Sequence, residues 1–178
     1  MPSTNLLYEK QIDITERIHI VIPTVREVLA HEDEYYSVVT MLTAMPYDLM
    51  VQLDDLGIDF TTIDEWDLFI IFFRSIKGLS SLSLVFGDLD IENYDIAVNK
   101  DGEVLIFNKT TGDKIDRYTY EFIAHTIRQI HHLEKNYKTT VDGSKKYLID
   151  RMRKKQRRAA MKKSASTLES LIIAMVNT

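Results

Sequence analysis

The sequence predicts an α+β fold that is mostly helical, with an N-terminal strand or hairpin, a small central antiparallel β-meander and a C-terminal basic helical arm. Three changes of pattern support this fold class. Apolar residues alternate at period two before Pro23, recur at the helical period in most of 24–78 and in 118–137, and form short β-prone runs with two glycine turns within 84–117. With 178 residues, 45% of them apolar, the chain can form one domain with a real core plus an appendage.

The segment Lys10–Ile22 has the pattern of a half-buried strand or hairpin, because its isoleucines alternate with polar neighbours. Pro23 has no N–H to donate and therefore ends this ladder. Thr24 is suited to cap a short helix that runs through Leu29.

The stretch "HEDEYYSVVTMLTAM" predicts a second helix, since acids occupy its first turn and apolar residues recur at helical spacing. The predicted buried face consists of Tyr35, Val38, Val39, Leu42 and Met45. We expect Pro46 in the first turn of a third helix, "YDLMVQLDDLG", which Gly57 caps.

The stretch "DFTTIDEWDLFIIFFRSIKG" predicts the central helix of the domain. Thr62 or Asp64 caps its N-terminus, Glu65 and Asp67 lie in its first turn, and Gly78 ends it. The helix is apolar almost all round, which is typical of a core helix.

The meander follows as "YDIAV", "EVLIFN" and "DKID", with Asp101-Gly102 and Thr111-Gly112 supplying the positive-φ positions of its turns. Helical periodicity returns over Tyr118–Tyr137. Its predicted apolar stripe consists of Phe122, Ile123, Ile127, Ile130 and Leu133.

This pattern divides the chain into an acidic α+β body (1–137), a polar linker (138–143) and a basic arm (144–178). The arm is rich in Lys, Arg, Ala and Met, which are good helix formers. Ser164 and Ser166 are expected to break the basic helix, and either could cap a short apolar helix at the C-terminus. The apolar stripe of that last helix consists of Leu168, Leu171, Ile172, Met175 and Val176.

Charge is distributed unevenly along the chain. Residues 143–163 contain ten Lys or Arg and one acid, a net charge of +9, whereas residues 1–142 contain twelve basic and twenty-five acidic residues, a net charge of −13. Three interpretations of the basic segment stay open: a solvated helix leaning on its own acidic body, a site for an acidic protein partner, and a nucleic-acid site. The last is weakened because no aromatic residue for base stacking lies between Arg151 and Lys163.

The arm is the candidate partner-binding site. Its apolar stripe suits a groove on another protein, and docking onto the chain's own core is the alternative. The candidate residues are Met152, Arg153, Lys154, Arg157, Arg158, Leu168, Leu171, Ile172 and Met175.

Several classes of protein are disfavoured by the sequence. The chain has no cysteine, which excludes disulfides, thiolate metal sites and a cysteine nucleophile. The N-terminus lacks the pattern of a secretory signal, and the longest apolar stretch, Leu68–Phe73, is far shorter than the roughly 20 residues that span a bilayer. We therefore expect a soluble protein without a membrane partner.

Metal and enzyme motifs are also missing. Glu121 and His125 have i, i+4 spacing and His132 lies near their face, but a zinc site needs three or four ligands with support, so we expect no metal. The acids of "FGDLDIENYD" lack the Gly and Glu that an EF-hand loop requires. No nucleophile elbow, Walker loop or dinucleotide fingerprint is present. We expect neither enzyme activity nor a cofactor.

Two stretches resemble a known family. "IPTVREVLAHEDEYYSVVTMLTAMPYDLMVQLDDLGIDFTTIDEWDLF" (22–69) and "IENYDIAVNKDGEVLIFNKTTGDKIDRYTYEFIAHTIRQIHHLEKN" (91–136) resemble tail assembly chaperones, or closely placed tail morphogenesis proteins, of tailed phages infecting Gram-positive bacteria. The resemblance extends to "KKYLIDRMRKKQRR" and "SLIIAMVNT" and so covers most of the chain.

The resemblance implies a non-enzymatic chaperone in the host cell cytoplasm that is absent from the mature virion. Such chaperones coat the tape-measure protein, a long and largely helical apolar rod, until tube subunits replace them. The implied partners are the tape-measure protein and either a frameshifted longer form or further copies of this chain. A structural virion component, such as a connector or baseplate subunit, is the first alternative, and a nucleic-acid-binding regulator using the basic arm is the second.

Overall fold

A computed structural model of the chain describes residues 10–135 and 145–176, with side chains described as far as residue 160. The fold is α+β and mostly helical, as predicted. The helices are α1 (Val25–Ala30), α2 (Glu32–Thr43), α3 (Met50–Asp55), α4 (Glu65–Lys77), α5 (Ser83–Phe86), α6 (Arg117–Ile130) and α7 (Lys145–Val176). The strands are β1 (Gln11–Asp13), β2 (His19–Val21), β3 (Tyr94–Val98), β4 (Val104–Asn108) and β5 (Lys114–Ile115). Short 3₁₀ turns cover Ser80–Leu82 and Ile91–Asn93.

The chain forms two compact units. The first joins Met1–Pro46 with Ile63–Asn136, and the second joins Tyr47–Thr62 with Tyr137–Thr178. The sequence placed 47–62 in the body, whereas the structure groups this segment with α7. The predicted linker, 138–143, lies outside the described residues.

Both predicted β-structures are present in the first unit. β1 and β2 form an antiparallel hairpin in which Ile12 lies opposite Ile20. β3, β4 and β5 form an antiparallel sheet in that order. Gly102 and Gly112 have φ values of 84° and 78°, which confirms the two turns.

Helix starts in the first unit follow their capping residues. The Thr24 hydroxyl accepts the Glu27 N–H, and the Glu27 carboxylate accepts the Thr24 N–H. Asp64 and Asp67 make the same reciprocal arrangement at the start of α4. These capping boxes satisfy amide groups that have no partner within the helix.

An aromatic cluster lies at the centre of the first unit. Trp66, Phe69 and Phe73 on α4 are buried, and the Phe69 ring stacks on Tyr120 of α6 with 4.5 Å between ring centroids. The predicted face of α2 is buried as well, except that the helix ends before Met45. α4 is therefore the core helix that the sequence predicted.

The predicted face of α6 was partly wrong. Phe122 and Leu133 are 49% and 44% exposed, whereas Tyr120 and Ala124 are buried together with the predicted Ile123 and Ile127. The large Tyr120 ring packs into the aromatic cluster, and this contact turns Phe122 to the solvent side.

Two helix limits also differ from prediction. α6 ends at Ile130 rather than Tyr137, because His132 adopts a φ of 52° and cannot continue the helix. Pro46 lies in a turn, and α3 begins only at Met50.

No break occurs at Ser164 or Ser166, since α7 is continuous over Lys145–Val176, and the separate C-terminal helix is not formed. Serine costs only a few tenths of a kcal/mol in a helix interior, which the surrounding Ala, Lys and Met offset.

A buried ion pair connects three helices of the first unit. The Arg128 guanidinium on α6 donates to Glu65 Oε2 at 2.6 Å and to the Thr43 carbonyl oxygen at the end of α2 at 2.8 Å. Lys135 Nζ lies 2.9 Å from the other Glu65 oxygen. Only 7% of the Arg128 side chain is exposed, so this pair is a strong constraint on helix packing.

Within the described part of the chain, no single helix has both the length and the apolar composition to cross a membrane. The adjacent segments Glu65–Lys77 and Ser80–Phe86 meet these criteria only when taken together, and they are bent by 115°.

Candidate partner-binding site

The candidate site lies on α7 in the second unit. Its 32 residues correspond to a helix about 48 Å long at 1.5 Å per residue. Side chains are described for Lys145 to Ala160, which contain most of the basic run. A helix of this length offers a linear surface of many turns to another polypeptide.

The first turns of α7 are anchored to α3 and the loop after it. Lys145 Nζ donates to Asp59 Oδ2 at 2.6 Å. Arg153 donates to Asp54 Oδ2 at 2.9 Å and also to Asp55. The two aspartates lie at the C-terminal end of α3, where the helix dipole disfavours negative charge, so the arginine compensates an unfavourable placement.

The ion pairs change the pKa of their members. Hydrogen bonds from Lys145 and from Thr61 lower the pKa of Asp59 to about 2. The hydrogen bond to Asp55 raises the pKa of Arg153 above its usual value. Asp59 and Arg153 are therefore charged and paired inside the second unit at neutral pH.

A groove of about 470 Å³ lies beside this anchor. Ile149 of α7 is 8% exposed, and Ile58 and Phe60 of the loop line the same groove. Tyr47 packs edge-on against Phe60 with 6.3 Å between ring centroids. Apolar burial thus adds to the ion pairs in holding the start of α7 to the rest of the second unit.

Beyond the anchor, the basic residues of α7 face solvent. The exposed basic side chains are Arg151, Lys154, Lys155, Arg157 and Arg158. None of the five has an ion-pair partner among residues 10–135 and 145–160. Five uncompensated cations on about two turns of helix make a strongly positive surface.

The structure separates the candidate residues into three groups. Met152 and Arg153 are half-buried, and Arg153 is engaged by α3. Lys154, Arg157 and Arg158 are exposed. The side chains of Leu168, Leu171, Ile172 and Met175 lie outside the described residues.

Sequence reasoning missed the acidic half of the anchor. It proposed that the basic arm could lean on an acidic body without naming the contact residues, which are Asp54, Asp55 and Asp59. The adjacent acids of "LDDLG" were the available signal, because they follow the apolar face of α3 at its C-terminal end.

His125 of α6 and the two histidines that follow this helix do not form a metal site in the described structure. Residues 10–135 and 145–160 contain no group of three His, Asp or Glu side chains that could hold a metal ion. His131 Nε2 instead shares a 3.0 Å hydrogen bond with the Tyr35 hydroxyl. Burial lowers the pKa of His131 and raises the pKa of Tyr35 to about 12, so both are neutral at pH 7.

Comparison of the chain with protein-family models, with curated proteins and with solved structures finds no match.

Proposed function

We propose that this protein is a non-enzymatic tail assembly chaperone of a tailed phage, which binds the tape-measure protein during tail morphogenesis. Residues 22–69 and 91–136 support this role through their resemblance to such proteins. The observation that carries the proposal is on α7: a run of unpaired basic side chains continues, in one uninterrupted helix, into the sequence that holds the apolar stripe.

The anchor on α3 indicates that the first turns of α7 and the residues after them have different roles. Lys145 and Arg153 are occupied within the second unit, so they hold the helix rather than recognise a partner. The exposed cations that follow attract acidic groups over several ångströms and orient the encounter. The stripe that includes Leu171 and Ile172 supplies apolar contact with an amphipathic or apolar helix of the partner.

The test is co-expression of the tagged full-length chain with the tape-measure protein of the same phage, followed by affinity purification. The substitution Leu171→Asp places a charge on the stripe, and we expect it to abolish recovery of the tape-measure protein. Ser170→Asp adds the same charge on the opposite side of the helix, by its spacing, and we expect it to retain binding. Recovery unaffected by Leu171→Asp would remove the stripe from the mechanism, and failure of the unsubstituted chain to bind would refute the proposed partner.

Mass spectrometry of purified virions separates a chaperone from a structural component. A chaperone is absent from the particle, whereas a connector or baseplate subunit contributes peptides in stoichiometric amount.

The exposed basic run favours one further candidate, a nucleic-acid-binding regulator. Phosphate neutralisation by several cations predicts affinity that falls steeply with salt. If the chain bound DNA or RNA in this way, and lost binding when Lys154, Lys155, Arg157 and Arg158 are changed to Ala, the regulator would replace the chaperone as the better proposal.

A further inference from the structure

Strand β3 forms one edge of the three-stranded sheet in the first unit. Its register with β4 pairs Asp95 with Phe107 and Ala97 with Leu105. Two flanking backbone bonds show which residues of this strand face β4: Asn99 N–H donates to the Glu103 carbonyl oxygen at 2.9 Å, and Lys109 N–H donates to the Asn93 carbonyl oxygen at 3.2 Å. The odd-numbered residues are therefore the ones bonded to β4. The N–H and C=O groups of the even-numbered residues therefore point away from β4, towards the open edge.

Lys77 covers one end of this edge. Its ammonium group donates to the carbonyl oxygens of Tyr94 and Glu92, both at 2.8 Å. A lysine placed on an edge strand blocks pairing with another strand. The protection stops there, because no residue in the described chain bonds to the outward backbone groups of Ile96 and Val98.

The unprotected stretch is also apolar. Ile96 and Val98 are 37% and 65% exposed, and Val104, opposite Val98 on β4, is 39% exposed. The sequence "IAV" of residues 96–98 contains neither a charge nor a proline. Free ladder groups together with exposed β-branched side chains make a template for another strand.

We propose that β3 of one molecule pairs antiparallel with β3 of a second copy, with the two-fold axis at Ala97. In this register Ile96 lies opposite Val98 of the second copy, and each of the two equivalent pairs exchanges two backbone hydrogen bonds. The outward N–H and C=O groups of Ile96 and Val98 thus all become hydrogen-bonded in both copies. A two-fold axis at Ile96 would instead require the Tyr94 carbonyl, which Lys77 already occupies.

Charge complementarity supports a second copy as the occupant. Pairing about Ala97 brings the turn residues Lys100 and Asp101 of the second copy opposite Tyr94 and Asn93. The Lys77 ammonium is a charged group of the first copy at that end, bonded to the Glu92 and Tyr94 carbonyl oxygens and 3.8 Å from Asp95. Asp101 of the second copy thus lies near the Lys77 ammonium, which bonds to the carbonyl oxygens on either side of Asn93, so this pair of opposite charges occurs twice by symmetry.

The edge is short, so the association is weak and concentration-dependent. Three residues per strand, with two equivalent pairs of Ile96 and Val98, bury much less than the roughly 1,200 Å² of a standard stable interface. This inference does not depend on the proposed function, since it uses only β3, β4 and Lys77 of the first unit.

The first experiment compares Val98→Pro with Val98→Thr in the full-length chain by sedimentation velocity over a range of concentrations. Proline removes only the outward N–H and leaves the bonds to β4 intact, whereas threonine keeps the N–H and the branched shape. We expect the dissociation constant of the dimer to rise about tenfold or more for the proline variant, through loss of two hydrogen bonds per dimer, and to stay near the unsubstituted value for threonine. An unsubstituted chain that is monomeric at every concentration, or equal association of both variants, would overturn the proposal.

A second experiment keeps the proposal testable if the proline variant does not fold. The chain has no cysteine, so Ala97→Cys introduces a single thiol at the two-fold axis. Non-hydrogen-bonded antiparallel partners have Cα atoms about 4.5 Å apart, which is within disulfide range. We expect mild oxidation to cross-link this variant efficiently and to leave the control Lys100→Cys, about 20 Å from its symmetry mate at 3.3 Å per residue, mostly monomeric. Equal cross-linking of the two variants, or efficient cross-linking only with Ile96→Cys, would contradict the register.

Discussion

Replacement of Arg128 by methionine tests the buried ion pair that connects α2, α4 and α6. Methionine keeps the apolar length of the side chain and removes both charged hydrogen bonds, to Glu65 and to the Thr43 carbonyl. Breaking a buried pair costs about 3–5 kcal/mol when the remaining charge has no other partner. Glu65 keeps Lys135 at 2.9 Å, so we expect a smaller loss of about 2–4 kcal/mol in the free energy of unfolding.

The assay is thermal and urea unfolding followed by tryptophan fluorescence. Trp66 is the only tryptophan of the chain. It is 5% exposed and lies next to Glu65 at the start of α4, so its emission reports the first unit. At about 2–4 °C per kcal/mol for a chain of this size, the midpoint should fall by roughly 5–15 °C.

The matched control is Lys109→Met. Lys109 pairs with Asp95, but their side chains are 70% and 53% exposed, and an exposed pair contributes less than about 1 kcal/mol. We expect little change in the unfolding midpoint for this variant. The reasoning is refuted if Arg128→Met also shifts the free energy by less than about 1 kcal/mol, since the pair would then not constrain the core.

Three further predictions concern other parts of the structure. Burial lowers the pKa of His131 below its unfolded value near 6.5, so the stability linked to the neutral imidazole is fully present above that pH and is lost as the pH falls through the folded pKa. In urea melts, His131→Gln should therefore lose less stability than the unsubstituted chain between about pH 7 and pH 5. An unchanged pH dependence would contradict this. Gly87→Ala should lower the free energy of unfolding by about 2 kcal/mol or more, because φ is +62° and a Cβ would lie 3.2 Å from two side chains of β2. The control is Gly102→Ala, where φ is +84° and a Cβ would have no atom within 4 Å. This control should cost about 1 kcal/mol in the same melts. Arg153→Gln should lower the free energy of unfolding only slightly, since its two aspartate partners are half exposed and exposed ion pairs contribute little. It should increase hydrogen exchange at the start of α7. Unchanged exchange there would mean that the ion pairs do not anchor the helix.

The anchor and the β3 edge show why part of the candidate surface could not be predicted from sequence. The sequence located the basic run and its helical state from composition alone. It could not identify Arg153 as engaged and Lys154 as free, because this depends on which side of α7 faces the aspartates of α3, about 100 residues earlier in the chain. It also predicted β3 without showing that Lys77 protects only one end of the edge.

Local patterns by themselves determined the fold class, the two β-structures and the capped starts of α1 and α4. These features depend on residues within a few positions of one another: a hydroxyl or carboxylate that reaches a nearby amide, a glycine that adopts positive φ, and side chains that alternate at period two or 3.6. Only the tertiary structure decided the face of α6, where Tyr120 rather than Phe122 packs on Phe69. It also grouped 47–62 with α7. Both outcomes depend on contacts between segments that are distant in sequence. The free energy of such contacts exceeds the small local conformational preferences from which a sequence pattern is interpreted.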